Sequence, residues 1–166
     1  MHNELLSVVD QNDRIIDRRP RTEIHAQGLR HRAVHVLVFN DDGLLFLQKR
    51  SMLKDLNKGL WDTSVAGHVD LGEDYGPCAL REAQEELGVD VAETLTPLFK
   101  LEATPQLGME FVQVYRCLHN GPFVLAPEEI DAGSWFSPDE INHRVDVDDS
   151  TLTDTFKTIW RHYQRL

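Results

Sequence analysis

A layered α/β fold is the class this sequence predicts, and three observations carry it. Residues 32–39, R-A-V-H-V-L-V-F, are rich in β-branched side chains and apolar on both faces, as in a strand covered on both sides. Residues 75–87 read as a helix, with Asp74 as N-cap, Pro77 in the first turn and Gly88 as the stop. Near the C-terminus, Leu152, Phe156, Ile159, Trp160 and Tyr163 recur at i, i+4, i+7, i+8 and i+11, the apolar stripe of a second helix. A doubly covered strand with helices around it in the chain suggests an α/β/α sandwich.

The remaining elements follow in order. Residues 1–30 form a lead-in, where S-V-V-D-Q-N-D-R-I-I-D reads as a short hairpin turning at Gln11-Asn12-Asp13. Asn40-Asp41-Asp42-Gly43 is a turn, and Leu44-Leu45-Phe46-Leu47 returns as a second strand. Residues 51–60, S-M-L-K-D-L-N-K-G-L, read as an irregular loop. Residues 108–117 and Phe123-Val124-Leu125 read as further strands. Ser137-Pro138-Asp139-Glu140 is a capping box with proline at the first helical position. No repeat or linker divides residues 1–166, so a single domain is expected, with its core over 31–166.

Composition narrows the function. At 166 residues, 41% hydrophobic and 27% charged, the chain is an ordinary globular mix with enough material for a core. It has no apolar run of bilayer length, and the N-terminus lacks the pattern of a secretory signal. Cys78 and Cys117 are too few for a disulfide framework and lack metal-site spacing, so both read as reduced in a cytoplasmic protein. The net charge of −11 argues against a nucleic-acid polymer as partner. It is compatible with a phosphorylated small molecule, because a divalent cation reverses the local field.

The helix over 75–87 carries the chemistry. Leu80, Ala83 and Leu87 share one face, while Glu82, Glu85 and Glu86 gather on nearly the opposite one. Glu82 meets Glu85 at i+3 and Glu86 at i+4, and each like-charged pair costs roughly 0.2–0.5 kcal/mol. Arg81 offsets part of this at i+4 to Glu85. A solvated acidic face is one explanation. The other is a site of oxygen ligands for a hard cation such as Mg²⁺ or Mn²⁺.

The wider spacing distinguishes these. Gly67, Glu73, Arg81, Glu82, Ala83, Glu85, Glu86, Gly88 and Val89 stand in the pattern G-x5-E-x7-R-E-U-x-E-E-x-G-U, with U apolar. This matches the Nudix box over residues 67–89, and the chain therefore resembles the Nudix superfamily. The resemblance implies a Nudix-type α/β/α sandwich with a mixed β-sheet. It implies metal ligation by Glu82, Glu85, Glu86 and the Gly67 carbonyl, with Glu73 and Arg81 as structural support. The implied activity is Mg²⁺-dependent hydrolysis of a diphosphate linkage in a nucleoside diphosphate derivative or nucleotide by activated water, with Mn²⁺ as an alternative cation. A general base often comes from outside the box; Glu110, Glu128 and Glu129 are the candidates, with Glu110 preferred. The catalytic set is thus Glu82, Glu85 and Glu110.

Residues 23–90 also resemble isopentenyl-diphosphate isomerase and its hydrolase-like relatives, through H-A-Q-G-L-R-H-R-A-V-H-V-L-V-F-N, L-L-F-L-Q-K-R-S-M-L-K and G-L-W-D-T-S-V-A-G-H-V. In the isomerases the last segment reads W-x-N-x-x-C-x-H-P, and its cysteine performs acid/base chemistry. Here Ala66 stands at the cysteine and Val69 at the proline. Alanine carries no proton, which argues for hydrolysis. The resemblance implies a further metal site near His25, His31 and His68, with Glu110 close to a glutamate ligand. It also places Arg50 and Lys54 on the substrate diphosphate; Lys49 and Lys58 lie nearby. Trp61 either packs in the core or stacks on a base. The expected partner is a small-molecule diphosphate; a homodimer stays open. Two alternatives remain: an isomerase-like enzyme with another acid such as Glu110, and a non-catalytic protein that binds a phosphorylated ligand.

Overall fold

A computed structural model describes residues 4–166; of the lead-in, residues 1–3 lie outside it. The elements in order are β1 (Leu5–Val9), β2 (Ile15–Pro20), α1 (Arg21–Gln27), β3 (His31–Phe39), β4 (Leu45–Arg50), β5 (Trp61–Asp62) and β6 (Val65–His68). They continue with α2 (Tyr75–Leu87), β7 (Thr96–Leu101), a 3₁₀ turn (Pro105–Leu107), β8 (Glu110–Leu118), β9 (Ile130–Phe136), α3 (Pro138–Asp146) and α4 (Asp154–Tyr163). Strands β1 and β2 form the expected hairpin, and β3 to β9 form one mixed sheet.

The centre of that sheet is β3. It runs parallel to β8 along its whole length. Its other edge is divided. β6 pairs antiparallel with Ala33–Val36, and β4 pairs only with Val38 and Phe39 before diverging along β5, with β9 on its far edge. The sheet therefore opens into a fork between β6 and β4. Helix α2 covers one face: Ala79, Ala83 and Leu87 pack on Val34, Val36 and Val65. On the other face Ile141 and Val145 of α3 and Phe156, Ile159 and Trp160 of α4 pack on Leu37, Val112 and Val114. The two covered faces are the three layers expected from the doubly apolar β3.

Local chemistry explains the helix ends. Gly88 adopts φ 71° and its N–H bonds the Gln84 carbonyl, which stops α2. Asp74 occupies the N-cap of α2 but makes no side-chain capping bond. Ser137 accepts from the Glu140 N–H at 3.1 Å, and Thr153 caps α4 in the same way through the Phe156 N–H.

Three features depart from the sequence reading. The lead-in contains a helix, α1, besides the hairpin; with Ile24 as its one buried residue it shows no apolar period. Residues 123–125 are not a strand. Their backbone donors go instead to the end of α2, Val124 N–H to the Leu87 carbonyl and Ala126 N–H to the Glu86 carbonyl, filling acceptors that a helix C-terminus leaves open. Strands β7 and β9 carry Pro, Gly, Ser and Asp and so lack a strand signature. In β9 the glycine is required, because a Cβ at Gly133 would lie 2.1 Å from the Phe46 ring.

Candidate active site

The box glutamates do not share one environment. Consecutive residues on a helix point about 100° apart, so Glu85 and Glu86 cannot both enter the fork. Glu86 enters and is 2% exposed, whereas the Glu85 side chain is 58% exposed. Glu86 is received by neutral donors: Gln48 Nε2 at 2.9 Å and the Ala66 N–H at 3.3 Å, both on Oε1. Ser64 closes the base of the fork. Its hydroxyl donates to the Phe46 carbonyl of β4 and accepts from the Val38 N–H of β3 at 2.8 Å. Gln48 and Ser64 escaped the sequence reading. Their signal was a polar residue within otherwise apolar strand segments, since buried polar groups need partners.

Glu82 lies beside Glu86. Burial raises the Glu86 carboxyl well above its ordinary range and Glu82 adds to this; burial also raises Glu82. Gly67 makes the close approach feasible, since a Cβ there would fall 2.3 Å from Glu82 Cδ. Arg81 organises the surroundings. It donates to both Glu73 oxygens at 2.8 and 3.0 Å, to the His68 carbonyl at 3.2 Å, to Glu82 at 2.6 Å and to Glu85 at 3.1 Å. Glu73 also accepts from the Asp70 N–H, tying the loop to the helix. Buried paired carboxylates beside a glycine backbone suit a hard divalent cation.

The second cluster lies on the opposite face. Residues aligned across neighbouring strands share a face. The pairs His31↔Glu110, Ala33↔His68 and His35↔Ala66 put those side chains together; Val34↔Gly67 and Val36↔Val65 face α2. His25 of α1 joins His31, His68 and Glu110, and four ligand atoms of these residues lie within 4.8 Å of one another. His68 Nε2 is 2.8 Å from Glu110 Oε2. Burial opposes the imidazolium of His68, but the hydrogen bonds to Glu110 and Glu4 prevail and its pKa rises to about 9. Burial would raise the Glu110 carboxyl, yet the contacts with His31 and His68 hold it far below the usual carboxylate range. Burial and the neighbouring histidines lower His25 to about 4.

This cluster fits a metal by a separate test. His31 is 1% exposed, and its Nδ1 sits 2.9 Å from the Leu29 carbonyl, which assigns the proton to Nδ1. Its Nε2 is a buried atom without a hydrogen-bond partner; it lies 3.3 Å from Glu110 Oε2 but out of line for a bond. A bare imidazole lone pair aimed at two more imidazoles and a carboxylate is the arrangement of a metal ligand fixed by its carbonyl. Three nitrogens and one oxygen suit a transition metal better than Mg²⁺.

The other expected residues have partners of their own. Arg50 donates through Nε and Nη2 to the Leu56 carbonyl at 3.2 and 3.0 Å and stands 3.8 Å from Asp62. Lys54 pairs with Glu129. Glu128 is exposed. Trp61 packs edge-on against Phe136 at 5.2 Å, in the cluster beneath α4. Cys78 and Cys117 are buried and unpaired, and burial pushes the Cys117 thiol up to about 12. No helix among the described residues is long and apolar enough to cross a membrane.

Comparison with known proteins completes the picture. The NUDIX domain family matches residues 29–156. An uncharacterised Nudix hydrolase of Yersinia pestis is 38% identical over 146 residues, covering 86% of this chain and 78% of its own. An isopentenyl-diphosphate Delta-isomerase of Serratia proteamaculans is 32% identical over 162 residues, covering 96% and 90%. A solved protein of Deinococcus radiodurans superposes with TM-score 0.85 at 27% identity, over 96% of this chain and 98% of its own. The family match spans most of the chain and includes α2 with its glutamates, so this protein belongs to the Nudix family, with Nudix hydrolases among its relatives.

Proposed function

We propose that this protein cleaves a diphosphate linkage in a nucleoside diphosphate derivative or nucleotide, with Mg²⁺ or Mn²⁺ required. One observation carries the reading: Glu86 is buried beside Glu82 with only neutral donors on its carboxylate, and Arg81 bonds Glu82 rather than Glu86, so Glu86 lacks the charge that a cation would supply. When bound, a divalent cation neutralises phosphate oxygens and acidifies water. Glu82, Glu86 and the Gly67 carbonyl would hold it. Glu85, at the exposed rim and within reach of Arg81, would take a proton from the attacking water. Glu110 is committed to the histidines in this reading. Arg50 and Lys54 would bind the far phosphate, with Lys54 leaving Glu129 to do so.

The test is turnover of a panel with Mg²⁺ by the native protein and by Glu86→Gln, with products resolved by mass. The panel holds nucleoside di- and triphosphates, sugar and dinucleotide diphosphates, and isopentenyl diphosphate. Hydrolysis that collapses in the variant supports the reading; a native protein that cuts nothing overturns it.

A second reading, isomerisation of isopentenyl diphosphate to its allylic isomer, draws on the histidine cluster and the Serratia relative. It needs a proton donor facing the alkene. Ala66 has none, Glu110 is held ionised, and the proton of His68 is engaged by Glu110 at 2.8 Å. Rearrangement of isopentenyl diphosphate in the same panel would restore it. Tight binding without turnover would instead mark a non-catalytic ligand-binding protein.

A further inference from the structure

We propose that Gln48 is the positioning residue of the cation site: with the Ala66 N–H it saturates Oε1 of Glu86 and so directs Oε2 toward Glu82 and the cation. The inference rests on the reading of Glu82 and Glu86 as cation ligands. It starts from the amide itself. Gln48 is 3% exposed, and its Nε2 lies 2.9 Å from Glu86 Oε1 and 3.2 Å from the Ser64 carbonyl. Both neighbours are acceptors, so the NH₂ end must point at them and the amide has one orientation. Each of its two N–H bonds has a fixed destination, one on the backbone of the fork and one on the carboxylate.

The same carboxylate oxygen takes the Ala66 N–H, which belongs to β6, while Gln48 belongs to β4. Glu86 is thus held by one donor from each arm of the fork. Two donors on Oε1 fix the rotation of the carboxylate plane, which one donor would leave free. Neutrality matters as much as geometry. A lysine at this position would also reach Glu86, but its charge would satisfy the carboxylate and compete with the cation. An amide orients the ligand without cancelling its charge, the role of outer partners in metal sites generally.

The test uses Mn²⁺ as probe on the whole protein, with free Mn²⁺ read by electron paramagnetic resonance and metal-free thermal midpoints by circular dichroism. Glu86→Gln identifies which class of Mn²⁺ sites belongs to α2. At that class Gln48→Met is expected to bind about tenfold more weakly. Gln48→Lys is expected to bind at least as weakly as Gln48→Met, while its metal-free midpoint does not fall. A purely structural glutamine would give the opposite result for lysine, with native Mn²⁺ affinity wherever the midpoint is native. Native affinity in both Gln48 variants, with the class lost in Glu86→Gln, overturns the role of Gln48 alone. If Glu86→Gln removes no class of sites, the functional reading fails first. Should Gln48→Met not fold, Gln48→Lys decides.

Discussion

The two cation-competent clusters are built on opposite plans. Glu82 and Glu86 come from one turn of one helix and lie side by side. Burial raises both carboxyls, and Glu82 adds to the rise at Glu86. The histidine cluster is assembled from α1, β3, β6 and β8, and it satisfies much of itself: Glu110 is neutralised by a protonated His68. Without metal, the first cluster is electrostatically incomplete and the second is nearly balanced. A site that is frustrated alone has most to gain from a cation, whereas a balanced one must release a proton to accept it.

The largest effect should come from the frustrated site. Glu86→Gln is expected to lower hydrolysis by about 10²–10³-fold, as when other groups that stabilise the transition state are removed. Metal uptake at the histidines should persist, as measured by titration calorimetry. His31→Ala attacks the other side. It should weaken Mn²⁺ or Zn²⁺ uptake at the histidine cluster at least about tenfold, and lower hydrolysis less than Glu86→Gln does. Equal losses in both variants would break the comparison and make the two clusters one centre.

Two further substitutions probe the frame that holds them. Ser64→Ala leaves the Val38 N–H and the Phe46 carbonyl without their buried partner. A loss of about 1–3 kcal/mol is expected in thermal or urea unfolding. Asp13 joins the hairpin turn to both clusters' supports, bonding Arg32 at 2.7 Å, Lys100 at 2.8 Å and the Tyr75 hydroxyl at 2.8 Å. It sits at φ 62°, a conformation asparagine tolerates, so Asp13→Asn keeps the backbone and removes the charge. Burial opposes its ionisation, but Lys100, Arg32 and Tyr75 prevail and lower its carboxyl. A lowered folded value contributes stability above the unfolded carboxylate pKa of about 3.9 and loses it as pH falls through the folded value. The stability difference between native and Asp13→Asn, about 1–2 kcal/mol near neutrality, should therefore vanish at strongly acid pH. The smallest effect belongs to Ala66→Cys. Its side chain faces the histidines and its N–H still serves Glu86, so hydrolysis should change by no more than about twofold.

The contrast also explains what the sequence disclosed. Local chemistry was legible: Gly88 ended α2, Ser137 capped α3, and β3 was apolar on both faces because both were covered. The box was legible because its spacing is helical and contiguous. The burial of Glu86 was not, since a helical wheel treats Glu82, Glu85 and Glu86 as one polar face, and only the divergence of β4 from β3 creates the slot that Glu86 fills. Gln48 and Ser64 gain their meaning from that slot, across 38 and 18 residues of chain respectively. The histidines were suggested by resemblance, but their convergence depends on α1, which has no apolar period of its own. Residues 123–125 misled because their apolar spacing serves to cover the end of α2.

Strand β6 passes between the two clusters and serves both with consecutive residues. Gly67 lies against Glu82, while Ala66 and His68 present their side chains to the histidine face. The backbone N–H of residue 66 reaches Glu86 whatever side chain that residue carries. In hereditary terms, position 66 is a place where one codon can rewrite the chemistry offered on one face while the other passes to descendants unaltered.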